Sequence, residues 1–394
     1  MSQRYAQYQS ALRQQTLPAV LVDMELFEAN LRALLARSGE LPLRLATKSV
    51  RCVALLREAL AFDARCQGLL CFHASEAARL ASLGFDDLVV AYPTVQRQPL
   101  REVCEQLRQG RRITLMVDDA AQVAHIAAVA QEEQVRIPLC LDVDMSWRLP
   151  GLNFGVFRSP VRSVEVALAC FAAIRAQRGV VLEGVMGYEA QIAGLGDATP
   201  GQRLRSALIR RLKAGSIPRL HALRSQVVAA LRDAGAELRF VNGGGTGSLE
   251  STSADASVTE VTAGSGLYAP VLFDHYQAFR HQPAMVFALE VVRRPQPGIA
   301  TCLGGGYIAS GPAGEDRWPT PVWPAGLSLL ANEGAGEVQT PVTGPVLPEI
   351  GEPVVFRHAK AGELCERFEH LLLWRAGAVQ SSTPTYRGEG WHFI

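Results

Sequence analysis

The sequence has no long apolar run and no excess of charge of either sign. Its 394 residues carry a formal net charge of +1, and charged residues make up 20% of the chain. Such a balance gives no electrostatic reason to expect a nucleic acid or an anionic membrane surface as a partner. No apolar run approaches the roughly 20 residues that a membrane-spanning helix needs. We therefore expect a protein that binds neither nucleic acid nor membrane.

Paired cysteine motifs and an amino-terminal targeting segment are also absent. The eight cysteines are scattered singly, without a CxxC motif or a tight Cys/His cluster. Residues 1–15 are polar and lack the apolar core of a secretory signal peptide. Both features favour a cytoplasmic protein with reduced thiols. The length and the 48% hydrophobic content suit about two globular domains.

Apolar runs alternate with amphipathic stretches between residues 25 and 275. Eight runs are typical of buried strands: residues 41–47, 69–72, 88–91, 113–117, 138–144, 181–186, 238–242 and 258–261. Helical candidates between them include residues 51–62, 75–83, 120–133, 163–177 and 220–233. Eight βα units over about 250 residues match a (β/α)8 barrel of the TIM type. A doubly wound open sheet gives a similar alternation, and periodicity alone does not separate the two.

A lysine, Lys48, follows the first of these strands. In a barrel, the carboxyl ends of the strands surround the active site. Desolvation there would lower the pKa of the amine and make it nucleophilic enough to form a Schiff base. The alternative is a loop lysine that reaches solvent or pairs with a carboxylate.

Glycine-rich loops follow the seventh and eighth strands. They read Asn242-Gly243-Gly244-Gly245-Thr246-Gly247 and Gly264-Ser265-Gly266-Leu267-Tyr268. Loops at these positions of barrel enzymes often bind a phosphate with their backbone amides, because glycine lets the chain approach an anion closely. Thr246 would add a hydroxyl donor. A phosphate anchor together with a Schiff-base lysine is the pattern expected for pyridoxal 5'-phosphate (PLP).

Further side chains are candidates for contacts with such a cofactor. Tyr188 follows the sixth strand and would pack against the ring or bond its substituents. Arg148 and Arg158 lie beyond the fifth strand, where they would meet the ring nitrogen or a substrate carboxylate. A core tyrosine and solvated arginines are the alternatives. A barrel enzyme that uses Lys48 on a sugar phosphate also stays open, with the glycine loops then holding the substrate.

These segments resemble the fold-type III PLP enzymes of the alanine racemase N-terminal-domain superfamily, and among them the D-threonine aldolase and D-serine dehydratase group. The resemblance lies in residues 17–23 with Asn30, residues 44–49, residues 187–189, residues 243–246 and residues 264–268 followed by Asp274. It implies a PLP-binding barrel over residues 17–275, with Lys48 as the Schiff-base lysine. It also implies cofactor contacts from Tyr188, Arg158, Gly243, Gly244, Gly245, Thr246, Gly266 and Tyr268.

The carboxyl-terminal part changes to short strands separated by Pro/Gly turns, at residues 285–292, 300–302, 354–356 and 371–374. This predicts a smaller β-rich domain, formed by residues 276–394 with residues 1–16. In the resembled enzymes this domain binds a divalent metal ion through a His-x-Cys or His-x-Asp pair.

The metal pair is altered in this sequence. His358 aligns with the first ligand, but Lys360 occupies the second position, and an ammonium has no lone pair for a metal. A metal would therefore need Glu363 or Cys365 as its further ligand. Without a metal, His358 or Lys360 would act as a general acid or base.

The resemblance implies a PLP-dependent lyase, in a homodimer, that cleaves or dehydrates a β-hydroxy D-amino acid. An amino-acid racemase is the first alternative. It needs bases on both faces of the Cα carbon, and the sequence identifies no tyrosine to act opposite Lys48. A non-catalytic PLP-binding protein of the single-domain type is the other alternative, and it would lack the β-rich domain.

Overall fold

The computed structural model describes residues 1–394. Its helices are α1 (Ser2–Leu12), α2 (Met24–Arg37), α3 (Val53–Phe62), α4 (Ala74–Ser82), α5 (Arg97–Arg108), α6 (Ala120–Glu132), α7 (Val164–Ala176), α8 (Ala190–Ala193), α9 (Arg203–Asp233) and α10 (Leu249–Ser253). No helix combines the length and the apolar character that crossing a bilayer demands.

The strands, in chain order, are β1 (Ala19–Asp23), β2 (Leu43–Ala46), β3 (Cys66–Cys71), β4 (Leu88–Val90), β5 (Ile113–Val117), β6 (Ile137–Asp142), β7 (Trp147–Leu149), β8 (Leu152–Phe154), β9 (Val180–Gly187), β10 (Phe240–Gly243), β11 (Glu260–Ala263), β12 (Met285–Gln296), β13 (Ile299–Leu303), β14 (Thr320–Trp323), β15 (Ser328–Leu329), β16 (Gln339–Thr343), β17 (Pro353–Arg357), β18 (His370–Arg375) and β19 (Ala378–Pro384).

The chain divides into two compact units. The barrel unit comprises Leu34–Lys48, Leu56–Gly264 and Phe393–Ile394, and the sheet unit comprises Met1–Ala33, Ser49–Leu55 and Ser265–His392. Residues 17–33 and 265–275, which the sequence analysis placed with the barrel, belong to the sheet unit. The predicted boundaries of independent domains, 17–275 against 1–16 with 276–394, stay a prediction.

The barrel unit contains a closed barrel of parallel strands in the order β2–β3–β4–β5–β6–β9–β10–β11, and β11 pairs back onto β2. Each strand overlaps one of the eight predicted apolar runs. The predicted (β/α)8 barrel is therefore confirmed, and the open sheet is excluded. Strands β4 and β5 are buried at every residue. Burial on both faces explains why they appear in the sequence as continuous apolar runs rather than alternating ones.

Helices follow most of these strands as predicted. The predicted helices 75–83, 120–133 and 163–177 correspond to α4, α6 and α7. The Asp119 carboxylate caps α6 by accepting a hydrogen bond from the Ala121 N–H. The predicted helix 220–233 is only the second half of α9, which begins at Arg203 and contains Pro218.

The core of the barrel unit includes a cluster contributed by five strands: Val89, Met116, Cys140, Met186 and Phe240. Gly184 of β9 lies against the Phe240 ring, and a Cβ atom there would come within 2.2 Å of it. Close packing therefore requires glycine at this position.

A buried ion network lies toward the amino-terminal end of the barrel. Arg44 of β2 donates from Nε to Glu260 Oε1 (2.7 Å) and from Nη2 to Glu260 Oε2 (2.8 Å). Its Nη2 also lies 3.0 Å from Asp87 Oδ2. Gly68, at φ +65°, leaves the room that this guanidinium occupies, because a Cβ atom would lie 2.3 Å from Arg44 Nη1. The network thus joins β2 to β11, the two strands whose pairing closes the barrel.

The sheet unit is built on a nine-stranded sheet in which β1 lies between β12 and β18. The strands predicted at 285–292, 300–302, 354–356 and 371–374 correspond to β12, β13, β17 and β18, so the β-rich carboxyl-terminal region is confirmed. Tyr8 of α1 packs into the core of this sheet with Leu21 and Trp374. Its hydroxyl donates to the buried Asp23 carboxylate at the end of β1.

Replacing Arg44 with methionine should destabilise the protein by about 3–5 kcal/mol, because Glu260 would keep a buried charge without its partner. Urea titration followed by circular dichroism measures the change. Arg97→Met is the matched control, since the Arg97–Glu132 ion pair is exposed and such pairs contribute about 0–1 kcal/mol. Equal losses in the two variants would contradict a stabilising role for the network.

Candidate active site

Lys48 lies just after β2, in the short 3₁₀ helix Thr47–Ser49. The Thr47 hydroxyl donates to the Leu70 carbonyl at 3.1 Å, which ties this turn to β3. The Lys48 Nζ atom lies 3.0 Å from the Tyr92 hydroxyl oxygen. The sequence analysis expected a desolvated amine, but the side chain is exposed. The turn carries it beyond the buried end of the strand.

Tyr92 was missed by the sequence analysis. It lies two residues after the end of β4, as Lys48 lies two residues after the end of β2. Burial raises the pKa of the Tyr92 phenol, but the positive charges of Lys48 and Arg158 outweigh burial and lower it below its ordinary value. Its one sequence signal is a polar side chain directly after the predicted strand 88–91, which is too common a feature to single it out.

Arg158 lies between two tyrosine rings. Its guanidinium carbon is 5.7 Å from the centre of the Tyr92 ring and 5.2 Å from the centre of the Tyr188 ring, within range of cation–π attraction. Burial raises the pKa of Tyr188 to about 12, so this phenol stays neutral. Lys48, Arg158 and Tyr188 are thus linked at one rim of the barrel unit. The guanidinium carbon of Arg148 lies 5.8 Å from the ring centre of Phe157, and the contact predicted for Arg148 stays a prediction.

The loop after β10 (residues 243–246) uses two of its amides within the protein. The Gly244 N–H donates to Glu189 Oε2 at 2.8 Å, and the Gly245 N–H donates to Ser248 Oγ at 3.1 Å. These two donors were among those expected to bind a phosphate. The predicted phosphate site therefore has to draw on other donors of this loop, and it stays a prediction.

The same loop supports the Tyr188 ring. A Cβ atom on Gly245 would lie 3.0 Å from Tyr188 Cε2 and 2.9 Å from the Ala193 Cβ, so glycine permits this close packing. Gly243 is similarly crowded, since a Cβ atom there would lie 2.9 Å from Thr252 Cγ2.

Two arginines hold this loop in place. Arg224 of α9 is fully buried and pairs with Glu189, the acceptor of the Gly244 amide. Its Nη1 atom also lies 2.6 Å from Asp255 Oδ2. Arg37 of α2 donates to the Thr246 carbonyl at 2.7 Å. Fixed partners on both sides preorganise the loop.

Asp142 ends β6 and is buried. Burial and then the neighbouring Asp118 carboxylate raise its pKa to about 7, against the opposing charge of Arg158. Asp144 has a partner of its own, because Arg162 Nε lies 2.6 Å from its Oδ2 atom. Asp142 is therefore the carboxyl group in this region that gains or loses a proton near neutral pH.

His358, in the sheet unit, follows β17 and is 2% exposed. Neither ring nitrogen has a hydrogen-bond partner. Burial and then the charge of Arg357 lower its pKa to about 3, so the imidazole is neutral at physiological pH. A buried polar group without a partner costs free energy.

Lys360 is held by two neighbours in the sheet unit. Its Nζ atom lies 2.7 Å from Ser310 Oγ and 2.8 Å from Glu363 Oε1. The Glu363 carboxylate also accepts the Ser310 N–H at 2.7 Å. Glu363, one of the two substitutes considered for the second metal ligand, is thus occupied by an ammonium and a serine.

Cys365, the other substitute, is fully buried, and its Sγ atom lies 3.5 Å from the Val50 carbonyl. Burial raises the pKa of this thiol, which therefore stays protonated. No three His, Cys, Asp or Glu side chains of residues 1–394 lie together in a way that could hold a metal ion. The residues predicted for a metal, His358 and Cys365, do not fit a divalent cation.

Tyr268 is a core side chain of the sheet unit. Its hydroxyl donates to the Val50 carbonyl at 2.9 Å, and its ring centre lies 6.0 Å from that of Phe27 and 6.4 Å from that of His358. Gly266 is buried in the same stretch. The cofactor contacts predicted for these two residues stay a prediction.

The raised pKa of Asp142 should make stability depend on pH. Between the ordinary aspartate pKa of 3.8 and about 7, the folded protein keeps a proton that the unfolded chain has released. Stability therefore falls as the pH rises through this window. Urea titrations across it should show a smaller fall for Asp142→Asn than for the native protein. Asp233→Asn, at an exposed position, is the control, and an unchanged fall in Asp142→Asn would contradict the raised pKa.

Comparisons with known proteins agree with this architecture. The sequence matches the family described as "Alanine racemase, N-terminal domain" over residues 22–270. A D-threonine aldolase of Arthrobacter sp is 26% identical over 287 residues, which cover 71% of this chain and 69% of that protein. The resemblance that the motifs indicated is therefore confirmed.

Solved structures share the fold over nearly the full chain. The D-threonine aldolase from Filomicrobium marinum has a TM-score of 0.79 at 21% identity, covering 96% of both chains. The D-threo-3-hydroxyaspartate dehydratase from Delftia sp. HT23 has a TM-score of 0.76 at 20% identity, covering 95% of this chain and 98% of that one. Because the family match extends over more than half of the sequence, the chain belongs to the alanine racemase N-terminal domain family.

Proposed function

We propose that this protein is a PLP-dependent lyase that acts on a β-hydroxy D-amino acid and binds its cofactor covalently through Lys48. The observation that carries the proposal is the position of the Lys48 amine just beyond β2. The amine is hydrogen-bonded to the Tyr92 hydroxyl, and the Tyr92 ring in turn makes a cation–π contact with Arg158. The substrate class is supported by the relatives, which are named D-threonine aldolase and D-threo-3-hydroxyaspartate dehydratase.

The scarcity of lysine supports Lys48 as the reactive amine. The chain has 39 Lys and Arg residues, and only Lys48, Lys213 and Lys360 are lysines. Lys213 is buried, with its Nζ atom 3.0 Å from Asp197 Oδ2. A guanidinium does not lose its proton and cannot replace an amine as a nucleophile. In a chain that takes nearly all its positive charge from arginine, a lysine at a barrel strand end indicates amine chemistry.

The residues of the barrel unit fit PLP by their chemistry. Lys48 would hold the cofactor through its amine, Arg158 and Tyr188 would contact the ring, and residues 243–246 would contribute donors to the phosphate. When bound, the cofactor supplies an electron sink for negative charge at the substrate Cα carbon. Arg158 keeps its charge at any physiological pH and would thus fix the electrostatics of the ring site.

The side chains must then move the protons of the reaction. For dehydration, the neutral Lys48 Nζ atom would take the proton from Cα. For aldol cleavage, the proton of the β-hydroxyl must leave, and we propose His358 as its acceptor, because both of its ring nitrogens lack hydrogen-bond partners. Lys360, held by Ser310 and Glu363, is the proposed proton donor.

Borohydride reduction of the PLP-loaded protein, followed by proteolysis and mass spectrometry, should place the cofactor on the peptide that contains Lys48. The peptides of Lys213 and Lys360 are internal controls within the same digest. Lys48→Ala should lose the visible absorbance of the lysine-bound cofactor. If the native protein carries no cofactor on Lys48, the proposal fails.

Product analysis separates the two lyase reactions. Acetaldehyde and glycine released from D-threonine would show aldol cleavage. A keto acid and ammonia released from D-threo-3-hydroxyaspartate would show dehydration. Racemisation of an amino acid without cleavage would contradict the lyase proposal and favour the alternative, an amino-acid racemase.

Activity should survive dialysis against a chelator, because the residues at the predicted metal position do not fit a divalent cation. Lys360→Cys restores a His-x-Cys pair with a sulfur lone pair, so it should retain Zn²⁺ after dialysis, as measured by elemental analysis. Lys360→Met is the control, since it removes the ammonium without adding a ligand. Stoichiometric metal in the native protein, or its inactivation by the chelator, would contradict this interpretation.

A further inference from the structure

We propose that Tyr92 is a catalytic proton carrier: its phenolate takes a proton from the Lys48 ammonium and leaves the neutral amine. That amine is required both for cofactor attachment and for removal of the substrate α-proton. The inference rests on the proposed function, since it assigns a second residue to the same reactive amine. Nothing in the sequence motifs points to Tyr92.

The geometry places the two groups in direct contact. The Tyr92 hydroxyl oxygen lies 3.0 Å from the Lys48 Nζ atom, which is hydrogen-bond distance. Both residues lie two positions beyond their strands, β4 and β2, so they rise from the same rim of the barrel. The strand ends are a rigid frame, and a proton can therefore pass between the two atoms without a movement of the backbone.

The charges around the phenol favour its ionised form. The ionisable groups that face it are Lys48 after β2, Arg158 after β8, Asp142 at the end of β6 and Tyr188 after β9. Burial and Asp142 oppose ionisation, but the two cations prevail and lower the pKa of Tyr92 from its ordinary value. Tyr188 does not share this role, because burial raises its pKa to about 12.

The transfer balances within the pair. One N–H bond of the Lys48 ammonium breaks, one O–H bond of Tyr92 forms, and the total charge of the pair is unchanged. The Nζ atom regains the lone pair that a nucleophile or base needs. Arg158 stays charged throughout, so it stabilises the phenolate without competing for the proton.

The test measures how fast the visible absorbance of lysine-bound PLP appears when the purified protein is stripped of cofactor and reloaded at a series of pH values. Tyr92→Phe should slow this step at neutral pH by about a hundredfold, the usual contribution of one proton-transfer group. The rate for this variant should rise only at higher pH, where hydroxide replaces the phenolate as the proton acceptor. Tyr276→Phe, in the aromatic cluster with Phe273, is the matched control and should behave as the native protein.

A second variant separates a loss of proton transfer from misfolding of Tyr92→Phe. Incorporation of 3,5-difluorotyrosine at position 92 keeps the ring and lowers the pKa of its hydroxyl. The acid side of the rate profile should then move to lower pH, opposite to the shift in Tyr92→Phe. Coinciding profiles in the native protein and both variants would show that Tyr92 is structural and overturn the inference. If native protein carries no cofactor on Lys48, the proposed function fails first, and the inference falls with it.

Discussion

The contact between Arg44 and Glu260 is the interaction on which the site depends most directly. It joins β2 to β11, the strands whose pairing closes the barrel. The Glu260 carboxylate also accepts a hydrogen bond from Asn242 Nδ2 at 2.8 Å, and Asn242 directly precedes the glycine loop. One buried carboxylate thus contacts both β2, which Lys48 follows, and β10, which leads into residues 243–246. Lys48 itself is exposed, whereas Arg44 and Glu260 are buried.

In the barrel unit, permanent charges and charges that depend on protonation are carried by different residue types. Arginines serve where a charge must persist: Arg44 within the barrel, Arg224 behind the glycine loop and Arg158 at the rim. Groups that titrate near neutral pH, or are shifted toward it, gather at the rim itself, where Asp142 and Tyr92 lie. This separation keeps the framework unaffected by protonation events at the reactive end.

Much of the fold could be predicted because buried parallel strands appear in the sequence as short apolar runs. Each barrel strand overlaps a mainly apolar run of the sequence, so all eight were found. The assignment of residues 17–23 was harder, since an apolar strand fits a barrel or a sheet equally well, and only its pairing with β12 and β18 shows where it belongs. Helix α9 was predicted too short, and its interior Pro218 is unusual in a helix.

A candidate site residue could be predicted from the sequence where its residue type is unusual at that position in the fold. It could not be predicted where the same residue type commonly serves several different roles. Lys48 could be found because a lysine is unusual at the end of a core strand. Tyr92 could not, because a tyrosine after a strand is ordinary and its importance arises from two cations that approach from other strands. The amides of Gly244 and Gly245 show the converse. A glycine motif indicates close approach, but sequence does not reveal whether a ring, a carboxylate or a ligand is the neighbour.

The shortage of lysines has a consequence for how the protein would bind the proposed cofactor. An aldehyde in solution condenses with any accessible primary amine, and ordinary protein surfaces offer many. The positive charge of this chain is carried mainly by guanidinium groups, which do not form such adducts under mild conditions. Lys213 is buried, and Lys360 is engaged by Glu363 and Ser310. Free pyridoxal phosphate would thus encounter few competing amines on this chain, and the proposed selectivity for Lys48 would begin with the composition of the whole surface.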